Sequence, residues 1–163
     1  MKLNHLALLS LLLTTPATFA QTSDLSYESY VDSDKRIKCL YGYAAEKTGD
    51  HESAIKIFED CVERWNDVYS MIWFAQMYES GAGMEVDLAK AAALVKRGAE
   101  QPDDVAYVSL ARYHYGVALA EGRGIRKDLQ AARVWLQSAA KGGQSEADDY
   151  LSRLDQSSAS SAR

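Results

Sequence analysis

The residue types that most often carry out chemistry are scarce and scattered in this chain. Histidine occurs three times in 163 residues, and His51 and His114 lie outside the N-terminal leader described below. Neither has a second histidine or a cysteine at the spacing of a zinc ligand set. The acidic pair Asp103-Asp104 falls at a predicted helix start, where helix electrostatics explains it. We predict no catalytic residue, no metal site and no cofactor, and therefore a protein that is not an enzyme.

Two glycine-containing loops are the next candidates for a binding site. The segments 78–91 and 119–132 share one pattern, displaced by 41 residues. The matching pairs are Gly81 and Gly122, Gly83 and Gly124, Asp87 and Asp128, Leu88 and Leu129, and Ala91 and Ala132. A Gly-x-Gly loop before a helix can bind phosphate, but neither loop follows a strand. We interpret both loops as turns of a repeated helical unit, with the aspartates capping the helices that follow.

The two cysteines, Cys39 and Cys61, are placed symmetrically about a predicted turn at 48–50. Helices on either side of that turn bring the cysteines to the same height on antiparallel neighbours, whose axes lie roughly 8–10 Å apart. A disulfide needs Cα atoms about 5.5 Å apart, which this arrangement allows if both side chains point inward. We predict a Cys39–Cys61 disulfide, the alternative being two small buried thiols.

Residues 1–20 have the layout of a cleavable signal peptide. Lys2 precedes the apolar run Leu6–Leu13, and small residues lead to Ala20, where we place the cleavage. The apolar run is shorter than the ~20 residues that span a bilayer, so no membrane span is expected after cleavage. Loss of Lys2 takes the net charge from −5 to −6, which argues against nucleic acid and anionic lipid as partners. We predict a periplasmic or secreted protein.

Helical periodicity, punctuated by glycine and proline, continues through most of the remaining chain. We predict an extended lead-in at 21–33, with Asp32, Ser33 and Asp34 as candidate N-caps, one helical domain at 34–155 and a disordered serine-rich tail at 156–163. The predicted helices are 34–47, 52–65, 67–80, 88–100, 104–121, 129–141 and 145–154. They group into repeats at about 34–66, 67–102 and 103–143, closed by a cap at 144–155.

The repeats resemble the Sel1-like repeat, a relative of the tetratricopeptide repeat with a longer glycine-containing loop. Residues 74–91 carry the order Phe-Ala-x-x-Tyr-x-x-Gly-x-Gly-x-x-x-Asp-x-x-Lys-Ala, and residues 115–140 match the family more fully. The first hairpin is more similar to a plain tetratricopeptide unit, with Gly42, Gly49 and Phe58 at that repeat's spacing. The resemblance implies an all-α fold, a short right-handed α-solenoid of three antiparallel helix pairs plus a C-terminal capping helix.

The same resemblance implies a protein-protein interaction module that presents the first helix of each pair along a concave groove. Carried over by position, the residues of this groove are Arg36, Tyr43, Glu46, Tyr69, Ile72, Gln76, Glu79, Tyr113, Val117 and Glu121. Tyrosines interleaved with charges suit a protein or peptide ligand. The expected partner is a toxin or an envelope protein. The module would act as an envelope adaptor or regulator, or as an immunity-type inhibitor that neutralises the toxin.

An enzyme is the competing class. Some cysteine-rich exported proteins of this repeat family are linked to binding or hydrolysis of β-lactams. They carry a closely spaced cysteine pair in each repeat, whereas here one pair is 22 residues apart, and the serine-lysine nucleophile motif of β-lactamases is missing. We therefore prefer the interaction module.

Overall fold

The computed structural model describes residues 26–161, with side chains as far as Ser157. Every regular element in this range is a helix. The helices are α1 (Glu28–Val31), α2 (Lys38–Thr48), α3 (His51–Trp65), α4 (Val68–Ser80), α5 (Leu88–Ala99), α6 (Val108–Glu121), α7 (Leu129–Lys141) and α8 (Ser145–Ser161). Between residues 26 and 161, none of them combines the length and the apolarity that crossing a membrane requires. The signal peptide predicted at 1–20 lies outside the described residues.

Consecutive helices pack against each other as an α-solenoid. The pairs α2–α3, α4–α5 and α6–α7 form three helical hairpins, each hairpin packs against the next, and α8 packs on α7. The all-α fold class, the three helix pairs and the C-terminal helix predicted from the sequence are confirmed.

Small residues allow the two helices of a hairpin to approach closely. A Cβ atom on Gly42 would lie 2.5 Å from Cε1 of Phe58, and one on Gly116 would lie 2.8 Å from Cγ of Leu136. Both distances are far inside van der Waals contact. Ala132, on the helix facing Gly116, is fully buried. The interior is therefore packed too tightly at these positions for larger side chains.

The two glycine loops connect neighbouring repeats as well as ending their own helices. Gly83 packs against His51 and Gly124 packs against the backbone of Leu88. His51 is the first residue of α3 and Leu88 the first residue of α5, so each loop contacts the start of the second helix in the preceding repeat. Gly124 has a φ of 66°, in the left-handed region. Glycine is required there both by the backbone angle and by the close approach.

Aspartates begin four of the helices. Asp87 accepts a hydrogen bond from the backbone N–H of Lys90, at 2.9 Å, and Asp128 accepts one from Ala131 at the same distance. The same role is played by Asp50 at α3 and Asp67 at α4. The predicted caps Asp87 and Asp128 are confirmed.

The N-terminal end of the domain differs from the prediction in two ways. The lead-in contains the one-turn helix α1, held by a hydrogen bond of 2.7 Å from the Tyr27 backbone N–H to Asp50. The first long helix, α2, begins after Ile37, which makes no side-chain capping bond. Asp34, one of the predicted caps, instead forms an ion pair of 3.0 Å with Arg64 of α3.

The C-terminal end also differs. Helix α8 continues to Ser161, so the prediction of disorder from Gln156 onward is wrong as far as Ser161. The segment 155–161 contains neither glycine nor proline. A helix whose first turns are held by packing on α7 can therefore continue through these polar residues.

Candidate partner-binding surface

The first helices of the three pairs, α2, α4 and α6, share one face of the solenoid, which we call the α2/α4/α6 face. Its centre is a group of four aromatic side chains, Tyr43, Tyr69, Trp73 and Tyr107, which we call the aromatic cluster. Ring centroids lie 4.5 Å apart for Tyr43 and Trp73 and 5.1 Å apart for Tyr69 and Tyr107. The rings of Tyr43 and Tyr69, both predicted as groove residues, are 6.4 Å apart. The structure thus brings together tyrosines of the first and second repeats.

Tyr107 is the most unusual member of the cluster. Its φ is 66° and its ψ is 3°, the left-handed conformation, at the N-cap of α6. A bulky L-residue adopts this conformation rarely and at a cost of roughly 1–2 kcal/mol. Its side chain is nonetheless 49% exposed. Strained residues persist where the surrounding structure over-determines them, and they concentrate at functional sites.

An apolar cavity of about 350 Å³ lies beside Tyr107. It is lined by Ile37 and Leu40 from the start of α2, by Tyr69 from α4 and by the segment 105–107. Ile37 is 55% exposed and Leu40 is 48% exposed. Exposed apolar residues next to an aromatic cluster are typical of surfaces that bind other proteins.

Two ion pairs hold charged side chains beside the cluster. Arg36 lies 2.9 Å from Asp67, the buried cap of α4. Lys47 lies 2.8 Å from Glu46, and its ammonium is 5.2 Å from the centre of the Tyr43 ring. The hydrogen bond to Glu46 raises the pKa of Lys47 above its usual range. The ring faces of the cluster therefore already accommodate one cation, as cation–π geometry allows.

Tyr69 lies at the middle of the cluster and is partly buried. Burial raises the pKa of its hydroxyl to about 12, and the nearby hydroxyls of Tyr107 and Tyr43 act in the same direction. The hydroxyl therefore stays protonated at neutral pH and remains a hydrogen-bond donor. A ring with an apolar body and a polar tip is the usual anchor at protein interfaces.

Two predicted groove residues are buried, Ile72 in the second repeat and Val117 in the third. Ile72 is only 1% exposed. Ile72, Cys39 and Tyr113 occupy the same register position, and Cys39 is also buried. Ile72 packs in one core cluster with Ala91 and Val95 of α5, and Cys39 is bonded to Cys61 of α3. These two side chains therefore point toward the second helix of their own pair. The adjacent register position contains the exposed Leu40 and the half-buried Trp73.

The third repeat contributes less to the surface than predicted, because α8 covers it. Val117 is only 7% exposed and packs with Tyr113 against side chains of α8. Tyr150 of α8 donates a hydrogen bond of 3.0 Å to Glu121. Val117 is therefore buried, and Tyr113 is partly covered by α8. The sequence suggested a cap but not which side chains it would cover.

The remaining predicted residues, Gln76 and Glu79, are half-buried toward the C-terminal end of α4. Glu79 lies 3.3 Å from Arg123 in the second glycine loop. This ion pair ties the edge of the α2/α4/α6 face to the loop between α6 and α7. The members that sequence reasoning missed are Ile37, Leu40, Lys47, Trp73 and Tyr107.

The predicted disulfide is present between Cys39 and Cys61, whose Cα atoms are 5.9 Å apart. It joins α2 to α3 beneath the α2/α4/α6 face. Lys38, the neighbouring residue, is 1% exposed, and its ammonium lies 2.7 Å from Asp60 of α3. The same ammonium donates a hydrogen bond of 2.7 Å to the Val31 carbonyl of α1. A crosslink and a buried ion pair thus fix the first hairpin and the short N-terminal helix together.

Neither histidine belongs to a cluster of metal ligands, and the described residues contain no group of three or more histidine, cysteine or acidic side chains that could hold a metal ion. His114 lies partly buried on α6. Burial lowers the pKa of its imidazole, and Arg123 adds to this effect. His51 packs against Gly83 of the first glycine loop.

Comparison with known proteins identifies the repeats. The family model of the Sel1 repeat matches residues 68–103, which contain α4–α5, and residues 109–144, which contain α7 and all of α6 except Val108. Searches of curated proteins and of solved structures returned no match. The matched segments contain the two glycine loops and the caps Asp87 and Asp128, so the second and third helical hairpins are Sel1 repeats.

Proposed function

We propose that this protein binds a protein partner through the α2/α4/α6 face. Sel1 repeats are, in general, protein-protein interaction modules. The observation that carries the proposal is the aromatic cluster, in which Tyr107 is held in a strained conformation beside the exposed side chains of Ile37 and Leu40. A buried aromatic anchor surrounded by apolar contacts is the arrangement that dominates binding energy at protein interfaces.

Export from the cytoplasm is part of the proposal. The N-terminal leader has the pattern of a signal peptide, and the Cys39–Cys61 disulfide is a bond that persists in oxidising compartments. A periplasmic or secreted location is compatible with both observations. There the protein would act as an adaptor or regulator of the envelope, or as an immunity-type inhibitor of a toxin. The charge of −6 after cleavage favours a basic partner.

Site-specific photocrosslinking tests the proposal. A photoreactive phenylalanine derivative replaces Tyr107 in the α2/α4/α6 face, and the exported protein is irradiated in envelope extract. The matched control carries the same derivative at Val134, which is 65% exposed on α7. Mass spectrometry then identifies the products. We expect one dominant partner crosslinked from position 107 and not from position 134. Equal products from both positions, or none from either, would contradict the proposal.

The genes beside the one for this protein separate the two roles. A toxin encoded next to it favours the immunity role, and the crosslinked partner should then be that toxin. A partner that is a constituent of the envelope favours the adaptor role.

A further inference from the structure

A second depression lies between α3 and α5, on the second helices of the first two pairs. We call it the α3/α5 trough. Its volume is about 550 Å³. Val62 of α3 and Leu94 of α5 line its apolar walls, and Phe74 and Tyr78 of α4 form its floor. It is separate from the cavity beside Tyr107 on the α2/α4/α6 face, although α4 contributes to both.

The third repeat shows what fills the corresponding space elsewhere in the chain. Leu94 of the second repeat corresponds to Trp135 of the third, and Phe74 corresponds to Tyr115. The indole of Trp135 packs edge-on against the Tyr115 ring, with centroids 5.3 Å apart. Leu94 is much smaller than tryptophan, so the α3/α5 trough stays open where its repeat counterpart is filled by an indole. At about 550 Å³ the trough is large enough to admit a large aromatic side chain.

The two walls of the trough carry opposite charges. Glu59 and Glu63 lie along α3, and Lys90 and Arg97 lie along α5. Arg97 closes one end, because it bonds to Asn66 at 2.8 Å and lies 3.4 Å from Glu63. The other end is open.

The charged side chains at the open end of the trough, Glu59 and Lys90, are accessible to solvent. Lys90 lies there with its side chain 63% exposed. Its ammonium is 5.3 Å from the centre of the Tyr78 ring and 3.5 Å from the Asp87 carboxylate. Glu59, across from it, has no ion-pair partner among the described residues. In the part of the chain that the structure describes, an acidic group without an ion-pair partner and an exposed basic group, paired only with the cap Asp87, therefore lie on either side of an apolar floor.

We propose that the α3/α5 trough is a second binding surface, which takes an aromatic side chain of a protein partner. The ring would lie beside Leu94, in the space that corresponds to the one filled by the Trp135 indole in the third repeat. The residues flanking that ring would be a basic one facing Glu59 and an acidic one facing Lys90, because these pairings complement the two walls. Binding at the trough can be confirmed or refuted independently of binding at the α2/α4/α6 face.

The test uses the full exported chain and a defined probe, the acetylated and amidated peptide Lys-Gly-Trp-Gly-Glu. Binding is followed by the amide chemical shifts of isotope-labelled protein. We expect saturable shifts at the residues lining the trough. Leu94→Trp supplies the missing indole from the protein itself and is expected to weaken binding roughly tenfold or more. The matched control Trp135→Leu changes the third repeat only and should leave the probe affinity measured from the shifts at the α3/α5 trough within about twofold.

The charges are tested separately, with exposed substitutions that leave the packing intact. A peptide with glutamine at both ends, Gln-Gly-Trp-Gly-Gln, should bind about threefold more weakly than the charged probe. In the double variant Glu59→Gln, Lys90→Gln, that difference should disappear. The proposal is overturned if the charged probe causes no shifts at the trough, or if Leu94→Trp binds it as tightly as the original protein. It is also overturned if the two peptides bind equally to the unaltered protein.

Discussion

Replacing Gly124 with alanine is the sharpest test of the contact between repeats. Gly124 has a φ of 66°, a conformation that costs an L-residue roughly 1–2 kcal/mol. A Cβ atom there would also collide with the carbonyl oxygen of Leu88. Because this neighbour is backbone at the start of α5, it cannot move aside as a flexible side chain could. Overpacking of this kind costs about 1–3 kcal/mol, so the expected loss is about 2–5 kcal/mol.

Gly49 provides the matched control for the backbone angle. Its φ is 88°, and a Cβ atom built on it meets no atom within 4 Å. Gly49→Ala therefore measures the cost of the left-handed conformation alone, roughly 1–2 kcal/mol. The difference between the two variants is the contribution of the close approach between the loop and α5.

The measurement is urea denaturation followed by helical circular dichroism, with the free energy of unfolding extrapolated to water. Gly124→Ala should be less stable than Gly49→Ala by about 1–3 kcal/mol. Equal losses in the two variants would refute the conclusion that the glycine loop is a tight contact between neighbouring repeats.

Three further predictions concern the first hairpin and α6. Reducing the Cys39–Cys61 disulfide should lower the free energy of unfolding by about 3 kcal/mol, because the bond closes a loop of 22 residues in the unfolded chain. Urea denaturation measures this loss, and the variant with serine at both positions should show no effect of reductant. Lys38→Ala should cost about 2–3 kcal/mol, because it leaves Asp60 without its nearest cation, and an unchanged urea midpoint would contradict this. Burial lowers the pKa of His114 below 6.5, so the unfolded chain binds the extra proton more readily. The stability that the neutral, buried His114 side chain contributes is complete above pH 6.5 and is lost as pH falls below that value. His114→Gln should therefore reduce the drop in melting temperature between pH 7.5 and 5.5, and an identical drop would show that another group is responsible.

The features that the sequence predicted well are those with local causes. The glycine loops, the caps Asp87 and Asp128 and the helix ends depend on backbone angles and on hydrogen bonds within a few residues. The disulfide followed from the symmetry of Cys39 and Cys61 about one turn. In each case, the residue type restricts the local conformation so strongly that this conformation can be predicted without knowledge of the tertiary structure.

The surface could be predicted only in part, because it depends on how each helix is rotated about its axis. Family positions selected Tyr43 and Tyr69, which lie in the aromatic cluster, but they also selected Ile72, which points into the core. No local pattern indicates that Tyr107 adopts a left-handed conformation, since tyrosine seldom does so. The covering of Val117 depends on the path of α8, which the composition of the tail did not suggest.

The α3/α5 trough depends on a difference in side-chain size between repeats, which the periodicity of apolar residues does not reveal. Leu94 and Trp135 occupy the same position, and both are apolar, so a pattern of apolar residues treats them as equivalent. Their volumes differ, and the difference becomes meaningful only when the neighbouring helices show how much space is left.

The affinity of the captured partner for Tyr69→Ala tests the central claim most directly. Tyr69 contacts the rings of Tyr43, Trp73 and Tyr107, and truncating such an anchor typically costs about 2 kcal/mol of binding, roughly thirtyfold in Kd. Val134→Ser on α7 serves as the exposed control, and titration calorimetry compares both with the unaltered protein. We predict a loss of roughly thirtyfold for Tyr69→Ala and no change for Val134→Ser. A Tyr69→Ala protein that keeps its helix content and binds within about twofold of the original would contradict the assignment of the α2/α4/α6 face.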